Sequence, residues 1–317
     1  MNVVNKSSKC PVCMGFLLLA AVSLSAQDTR PPITGISHVI VLNDDLDASG
    51  KFYAGLLGWC ASGPLEEGDA VHYQVGTDQF VEVKKSPGVK DPVDRLDHIA
   101  FKTSDVAAML RYLRANGVPV PGAVSVWPDG MRSFLVTDPE GYKIEFVQGG
   151  RLPPPAAAGA VSTHLMHIGF NVRDEKAESH FYKDILGFRL YWEGWNKDDG
   201  HKDGVYDYKS LQVPEGTDWV EFMLQAGSGG PPGAPWPRDP HHFAPGVVSV
   251  DDAYALLLSR GLADRNESRS KPLLGRNGRV QLNLFDPDGL RVELMNFKAS
   301  KEPCCAPYTG PQPEPSK

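Results

Sequence analysis

The chain has 317 residues, 41% hydrophobic and 22% charged, a balance that suits a globular protein with room for two domains. Its formal charge of −7, with no run dense in lysine or arginine, argues against nucleic acid or an anionic membrane as partner and leaves a small molecule.

Lys6 and Lys9 precede a short apolar run, Met14 to Val22, and small residues ending at Ala26. This pattern predicts a secretory signal peptide over residues 1–26 and an exported protein, periplasmic or extracellular. The run falls short of the roughly 20 apolar residues of a spanning helix, so no membrane attachment is expected after cleavage. Cys10 and Cys13 fall in the removed segment, and the remaining Cys60, Cys304 and Cys305 form no disulfide framework.

From Ile33 onward one pattern recurs four times: ISHVIVLNDDLDASGKFY, LDHIAFKTSDVAAMLRYL, LMHIGFNVRDEKAESHFY and PHHFAPGVVSVDDAYALL. Each copy opens as a short alternating strand, turns at an Asp or Ser suited to capping a helix, and continues with helical spacing. Copies one and three share FYAGLLGW and FYKDILGF, whereas copies two and four share a DPEG or DPDG turn, so the order is AB-AB. Turn signals leave room for three more strands per copy, predicting an α+β chain of four βαβββ modules. The Pro/Ala/Gly segment 149–162 reads as a linker between a first domain, 33–148, and a second, 163–297, with a Pro-rich, extended tail over 298–317. With few apolar residues in that linker, the halves are expected to act independently.

Each copy carries one histidine at the same place: His38, His98, His167 and His242. Alternate side chains of a strand share a face, so His98 lies with Ala100 while Ile99 and Phe101 point to the helix side. Each module also closes on a glutamate between apolar neighbours: Glu82, Glu145, Glu221 and Glu293. By the same rule histidine and glutamate share the face away from the helices. With 9 histidines in the whole chain, a fourfold recurrence is no accident, and paired with inward carboxylates it has the makings of a metal site. His164, His180, His201 and His72 fall outside the pattern and read as surface or structural residues. Pro245 implies an edge or a bulge in its strand, which leaves His241 as a competitor of His242.

The fourfold module resembles the vicinal oxygen chelate superfamily, the group of glyoxalase I, extradiol dioxygenases and bleomycin resistance proteins, over about Ile33 to Phe297. The resemblance implies modules paired into two cup-shaped, eight-stranded half-barrels, each with a metal at its floor. Its ligands would be His38, Glu82, His98 and Glu145 in the first cup and His167, Glu221, His242 and Glu293 in the second. Two imidazoles and two carboxylates suit a divalent ion (Zn, Ni, Co, Fe or Mn), up to two per chain, with positions open to substrate oxygens. Glu145 and Glu293 are the candidate catalytic bases, moving a proton next to a bound carbonyl in a glyoxalase-like lyase or isomerase. The alternatives are a small-molecule binding protein of the bleomycin-resistance type and an extradiol-type dioxygenase. In the latter, a tyrosine is expected three residues before Asp286, where this chain has Asn283. The resemblance fits a monomer or weak dimer.

Three further features stand apart from the repeat. The segment Trp192 to Lys209 is polar, Gly-rich and aromatic, suited to a lid or an ordinary surface loop. Arg276 and Arg279 are candidates for holding an anionic substrate group. The vicinal Cys304–Cys305 pair is expected to lie in a disordered tail.

Overall fold

The computed structural model describes residues 1, 29–62, 69–88, 90, 95–150, 159–196, 206–224, 241–263 and 271–316. The expected signal peptide, most of the linker and His201 lie outside these residues.

Four βαβββ modules follow one another. The first is β1 (Ile33–Asn43), α1 (Leu46–Gly50, continued by a π-helical turn, Lys51–Leu56), β2 (Cys60–Ser62), β3 (Ala70–Val75) and β4 (Gln79–Lys85). The second is β5 (Leu96–Thr103), α2 (Val106–Ala115), β6 (Ser125–Val126), β7 (Arg132–Thr137) and β8 (Lys143–Gln148). The third is β9 (Leu165–Val172), α3 (Glu175–Ser179, continued by a π-helical turn, His180–Ile185), β10 (Arg189–Gly194), β11 (Tyr208–Gln212) and β12 (Trp219–Leu224). The fourth is β13 (His242–Val247), α4 (Val250–Ser259), β14 (Leu273–Leu274), β15 (Val280–Phe285) and β16 (Arg291–Asn296).

The expected helix starts are present. Asp45, Asp105, Asp174 and Ser249 each accept hydrogen bonds from backbone N–H groups of the first helical turn, which satisfies donors that a helix leaves without partners.

Modules one and two form one eight-stranded sheet, ordered β2-β3-β4-β1-β5-β8-β7-β6, and modules three and four form the other, β10-β11-β12-β9-β13-β16-β15-β14. In each the two histidine-bearing strands lie antiparallel at the centre. Pro245 therefore sits on a central strand, and the register shifts between Ala244 and Pro245. Of the two options its sequence offers, the bulge is the one adopted.

The halves, expected to bind independently, are closely packed together. One apolar core runs through both, with Ile99, Phe101 and Met109 of the first half in the same cluster as Phe188, Phe222 and Leu257 of the second. Polar bonds cross as well: Tyr53 Oη donates to Asp286 Oδ2 at 3.0 Å and Tyr182 Oη to Asp138 Oδ2 at 3.2 Å. Each Asp-Pro turn is thus completed by a tyrosine from the opposite half. The end of the linker joins in as well: Val161 N donates to Leu57 O at 2.9 Å, Trp59 Nε1 to Ser162 O at 3.1 Å and Ser162 Oγ to Gly246 O at 2.6 Å.

The tail is not loose. Tyr308 packs against Tyr191 in a small cluster with Met166, Trp219, Met295 and Phe297, and Thr309 N donates to Tyr191 O at 3.0 Å. Cys304 and Cys305 are joined as a disulfide, which leaves Cys60 as the free cysteine among the described residues.

Candidate metal centre

The strand register explains how the repeat residues meet. His38 stands opposite Ala100, and Ala100 opposite Glu145, so the three form one row across β1, β5 and β8. Alanine in the middle leaves room for the outer two to lean together, and His38 Nε2 reaches Glu145 Oε2 at 3.0 Å. His98, one row along, comes within 3.6 Å of the same oxygen. The second sheet repeats the plan: His167 stands opposite Ala244, and its Nε2 lies 3.4 Å from Glu293 Oε2, with His242 Nε2 3.6 Å from that oxygen. Two buried groups result, His38–His98–Glu145 and His167–His242–Glu293, each with ligand atoms within 4.8 Å of one another. His241 lies elsewhere, edge-on to Tyr142 with ring centroids 4.7 Å apart, so His242 is the histidine that joins the cluster.

Glu82 and Glu221 differ in placement. Glu82 is across from Ile40, and Ile40 from His98, so a bulky side chain stands between the carboxylate and the ring. Glu82 instead meets His72 at 2.5 Å and Lys84 at 3.0 Å, outside the first cluster. Burial pushes its pKa up, but those two partners prevail and bring it to about 2. In the second sheet Gly169 takes the place of Ile40, and a Cβ there would fall 1.9 Å from His242 Cε1. The glycine lets the ring sink over the strand, where Nε2 comes 3.5 Å from Glu221 Oε2.

Neighbouring aromatics hold the rings in place. His38 stacks on Phe80 with centroids 4.4 Å apart, and His167 on Trp219 at 4.7 Å. Burial lowers the His38 pKa, an effect that Glu145 offsets only in part. Burial also acts to lower that of His98, but Asp97 and Glu145 prevail and raise it. For Glu145 and Glu293 burial is outweighed by the adjacent imidazoles, and both stay below the usual carboxylate range.

The two clusters differ in what orients their histidines. In the first, a register shift after Ile40 brings Asp97 beside the ring that follows it, and His98 Nδ1 donates to Asp97 Oδ2 at 2.7 Å. A carboxylate only accepts, so Nδ1 carries the hydrogen and the Nε2 lone pair faces the cluster. His38 Nδ1 lies 3.2 Å from Ser37 Oγ, a hydroxyl able to accept from it in the same sense. These residues fit a divalent ion: two inward lone pairs, one carboxylate and an oriented outer shell. In the second cluster His241 takes the place of Asp97, and Arg291 donates to His242 Nδ1. The same Nη2 lies 3.3 Å from His242 Nε2, so the guanidinium sets a permanent positive charge against the ring. Burial, then the Arg291 charge, holds the His242 pKa well below its usual value. Its ligand atoms converge as in the first cluster, but a fixed cation stands against one of the two rings.

Sequence reasoning missed Asp97 and Arg291. The signal was present in LDHIAF against HHFAPG and in KIEF against RVEL, positions where the copies differ. Other sites fall outside the clusters. His164 bonds Asp218 at 2.6 Å, and His180 pairs with Asp184 on the surface. Arg276 Nε donates to Trp195 O, and Arg279 is enclosed by Trp219, Tyr308 and Tyr191. Trp192 and Tyr208, within the segment read as a lid or an ordinary surface loop, line the second cup, while residues 197–205 are outside the described residues.

Paired βαβββ modules with a histidine–carboxylate group on the concave face of each sheet define a duplicated cup protein of metal-centre type. A family model, Glyoxalase/Bleomycin resistance protein/Dioxygenase superfamily, matches residues 35–146 and 164–294, and the chain belongs to that superfamily. It is 24% identical over 284 residues to a lactoylglutathione lyase of Arabidopsis thaliana, a match covering 82% of this chain and 91% of that one. Among solved structures it is similar to the Mn(II)-bound glyoxalase from Novosphingobium aromaticivorans, with a TM-score of 0.63 and 20% identity over 84% of this chain and 83% of the other. It is similar also to a 2,3-dioxygenase from Pseudomonas sp. KL28, with a TM-score of 0.64 and 16% identity over 90% of this chain and 96% of the other. At these identities the structural likeness is one of fold.

Proposed function

We propose that the chain is an exported, metal-dependent enzyme of glyoxalase type, a lyase or isomerase that moves a proton next to the carbonyl of a small molecule, with the first cup as its reaction centre. The observation that carries this reading is the first cluster, in which His38, His98 and Glu145 converge and Asp97 sets the His98 tautomer. A divalent ion held by those three residues would supply Lewis acidity to a substrate carbonyl. The chain's own groups supply the rest. Phe80 and Asp97 fix the two rings, and burial keeps water from the carboxylate. Glu145 is the group placed to take and return the proton, because its Oε2 lies where the two imidazoles converge, 3.0 Å from His38 Nε2 and 3.6 Å from His98 Nε2.

The extradiol reading is less well supported, because Asn283, opposite Glu293 in the sheet, stands where that chemistry calls for a tyrosine. Export rests on the pattern of residues 1–26 alone. Among the described residues no helix is long and apolar enough to cross a membrane.

The deciding experiment combines elemental analysis of the purified protein with NMR of hemithioacetals, formed from phenylglyoxal and a panel of thiols, in deuterated water. Deuterium entering next to the carbonyl, lost in Glu145→Gln and without oxygen uptake, is the expected result. Stoichiometric oxygen consumption with a catechol would overturn it, as would a protein that retains no divalent metal at neutral pH.

A further inference from the structure

We propose that the second cup is a metal-free pocket for a small organic acid, in which the Arg291 guanidinium takes the electrostatic place of an ion. The inference rests on the reading above only in taking the first cup as the metal centre. Lys143 and Arg291 hold corresponding positions, opposite His98 and His242 respectively. In the first cup Asp97 draws that cation away: Lys143 Nζ bonds Asp97 Oδ1 at 2.7 Å and leaves His98 alone. In the second, the corresponding residue is His241, which packs on Tyr142 and offers no carboxylate. Arg291 therefore turns to His242 and donates to Nδ1, and it also lies 3.5 Å from Met223 Sδ.

This arrangement disfavours an ion. Arg291 Nη2 lies 3.3 Å from His242 Nε2, the atom that His167 Nε2 meets at 3.1 Å, so a fixed cation faces the nitrogens a metal would use. That permanent positive charge repels a divalent ion. The same charge suits an anion. Arg291 and Arg276 line a cavity of about 250 Å³ that Glu221 and Glu293 also line, with Asn277 and Asn283 among its polar groups and Trp192 and Met295 as apolar wall. Asn283 is 6% exposed, and its buried Oδ1 has no hydrogen-bond partner within the chain. A carboxylate would pair with the guanidinium, the amide N–H groups would donate to a neighbouring oxygen, and an apolar body would rest on the wall.

The test uses two probes on the full mature chain stripped of metal. Mn(II) alone, titrated with free ion followed by electron paramagnetic resonance, should bind at one ion per chain, and His98→Ala should abolish it. Arg291→Leu should gain a second ion, whereas Arg291→Lys, which keeps a charge and guards against a folding defect, should stay at one. Phenylglyoxylate, followed by tryptophan fluorescence, should bind without metal, be unaffected by His98→Ala and weaken by about tenfold or more in Arg291→Leu. Phenylglyoxylamide, lacking the charge, should bind the wild type poorly. Two Mn(II) ions per wild-type chain would overturn the proposal, as would phenylglyoxylate binding indifferent to Arg291. A wild type with no Mn(II) but Arg291-dependent binding would sink the first-cup reading and leave this one standing.

Discussion

His98 Nδ1 lies 2.7 Å from the carboxylate of Asp97, the residue immediately before it in the chain. Neighbours in a regular strand face opposite ways, so the contact depends on the irregular register at that point. Asp97→Asn should therefore weaken Mn(II) binding by about 10–100-fold, the usual effect of losing an outer-shell carboxylate. The test is an Mn(II) titration of the metal-stripped protein, with circular dichroism to show the fold intact. An unchanged affinity would remove Asp97 from the account.

Glu82 and Glu145 should respond differently to substitution. Glu145 touches both imidazoles, whereas Glu82 is held by His72 and Lys84 behind Ile40. Glu145→Ala should abolish measurable Mn(II) binding, and Glu82→Ala should lower affinity by less than about tenfold. Comparable losses in the two variants would show that Glu82 swings past Ile40 to ligate.

Much of this centre was legible in the sequence. Four histidines and four glutamates at matching repeat positions mark one face of each sheet, and the alternation of small and bulky neighbours gives its direction. What escaped notice lies where the copies disagree. Asp97 and His241, or Lys143 and Arg291, hold equivalent places, and searching for recurrence discards such differences. The tail was misread for another reason. Its composition resembles that of an extended segment, and its order comes from Tyr308 docking on Tyr191, a contact between residues remote in sequence. The cross-half bonds were equally hidden: the Asp-Pro turns stood out, but nothing local says that their tyrosines come from the other half.

A pH dependence follows from Glu178 and Asp138, both buried. Burial raises Asp138 to about 7, and burial reinforced by the Asp138 charge raises Glu178 to about 9. A carboxyl with a raised folded pKa binds its proton more tightly when folded. Its contribution is thus fully present below the ordinary carboxylate range and is lost as pH climbs through about 7 to 9. Glu178→Gln should raise stability at pH near 8 by about 2 kcal/mol and change little near pH 4. Urea unfolding at both pH values checks this, and a uniform shift at the two would count against it.

Tyr53→Phe and Tyr182→Phe should each cost about 1–2 kcal/mol, since each leaves a buried carboxylate without one donor while keeping the ring's packing. Thermal or urea denaturation measures the loss. A single cooperative transition should persist in both variants, and two separate transitions would show that the halves were never coupled.

The exchange of these tyrosines between halves makes the chain a fused dimer. The chain that joins the halves then acts as a tether, setting an effective concentration on the order of millimolar for two surfaces that already recognise each other. Cutting the backbone within the tether would turn folding from a unimolecular event into an association. The nicked protein would hold together when concentrated and come apart on dilution, with Tyr53 and Tyr182 uncovered at the parted faces.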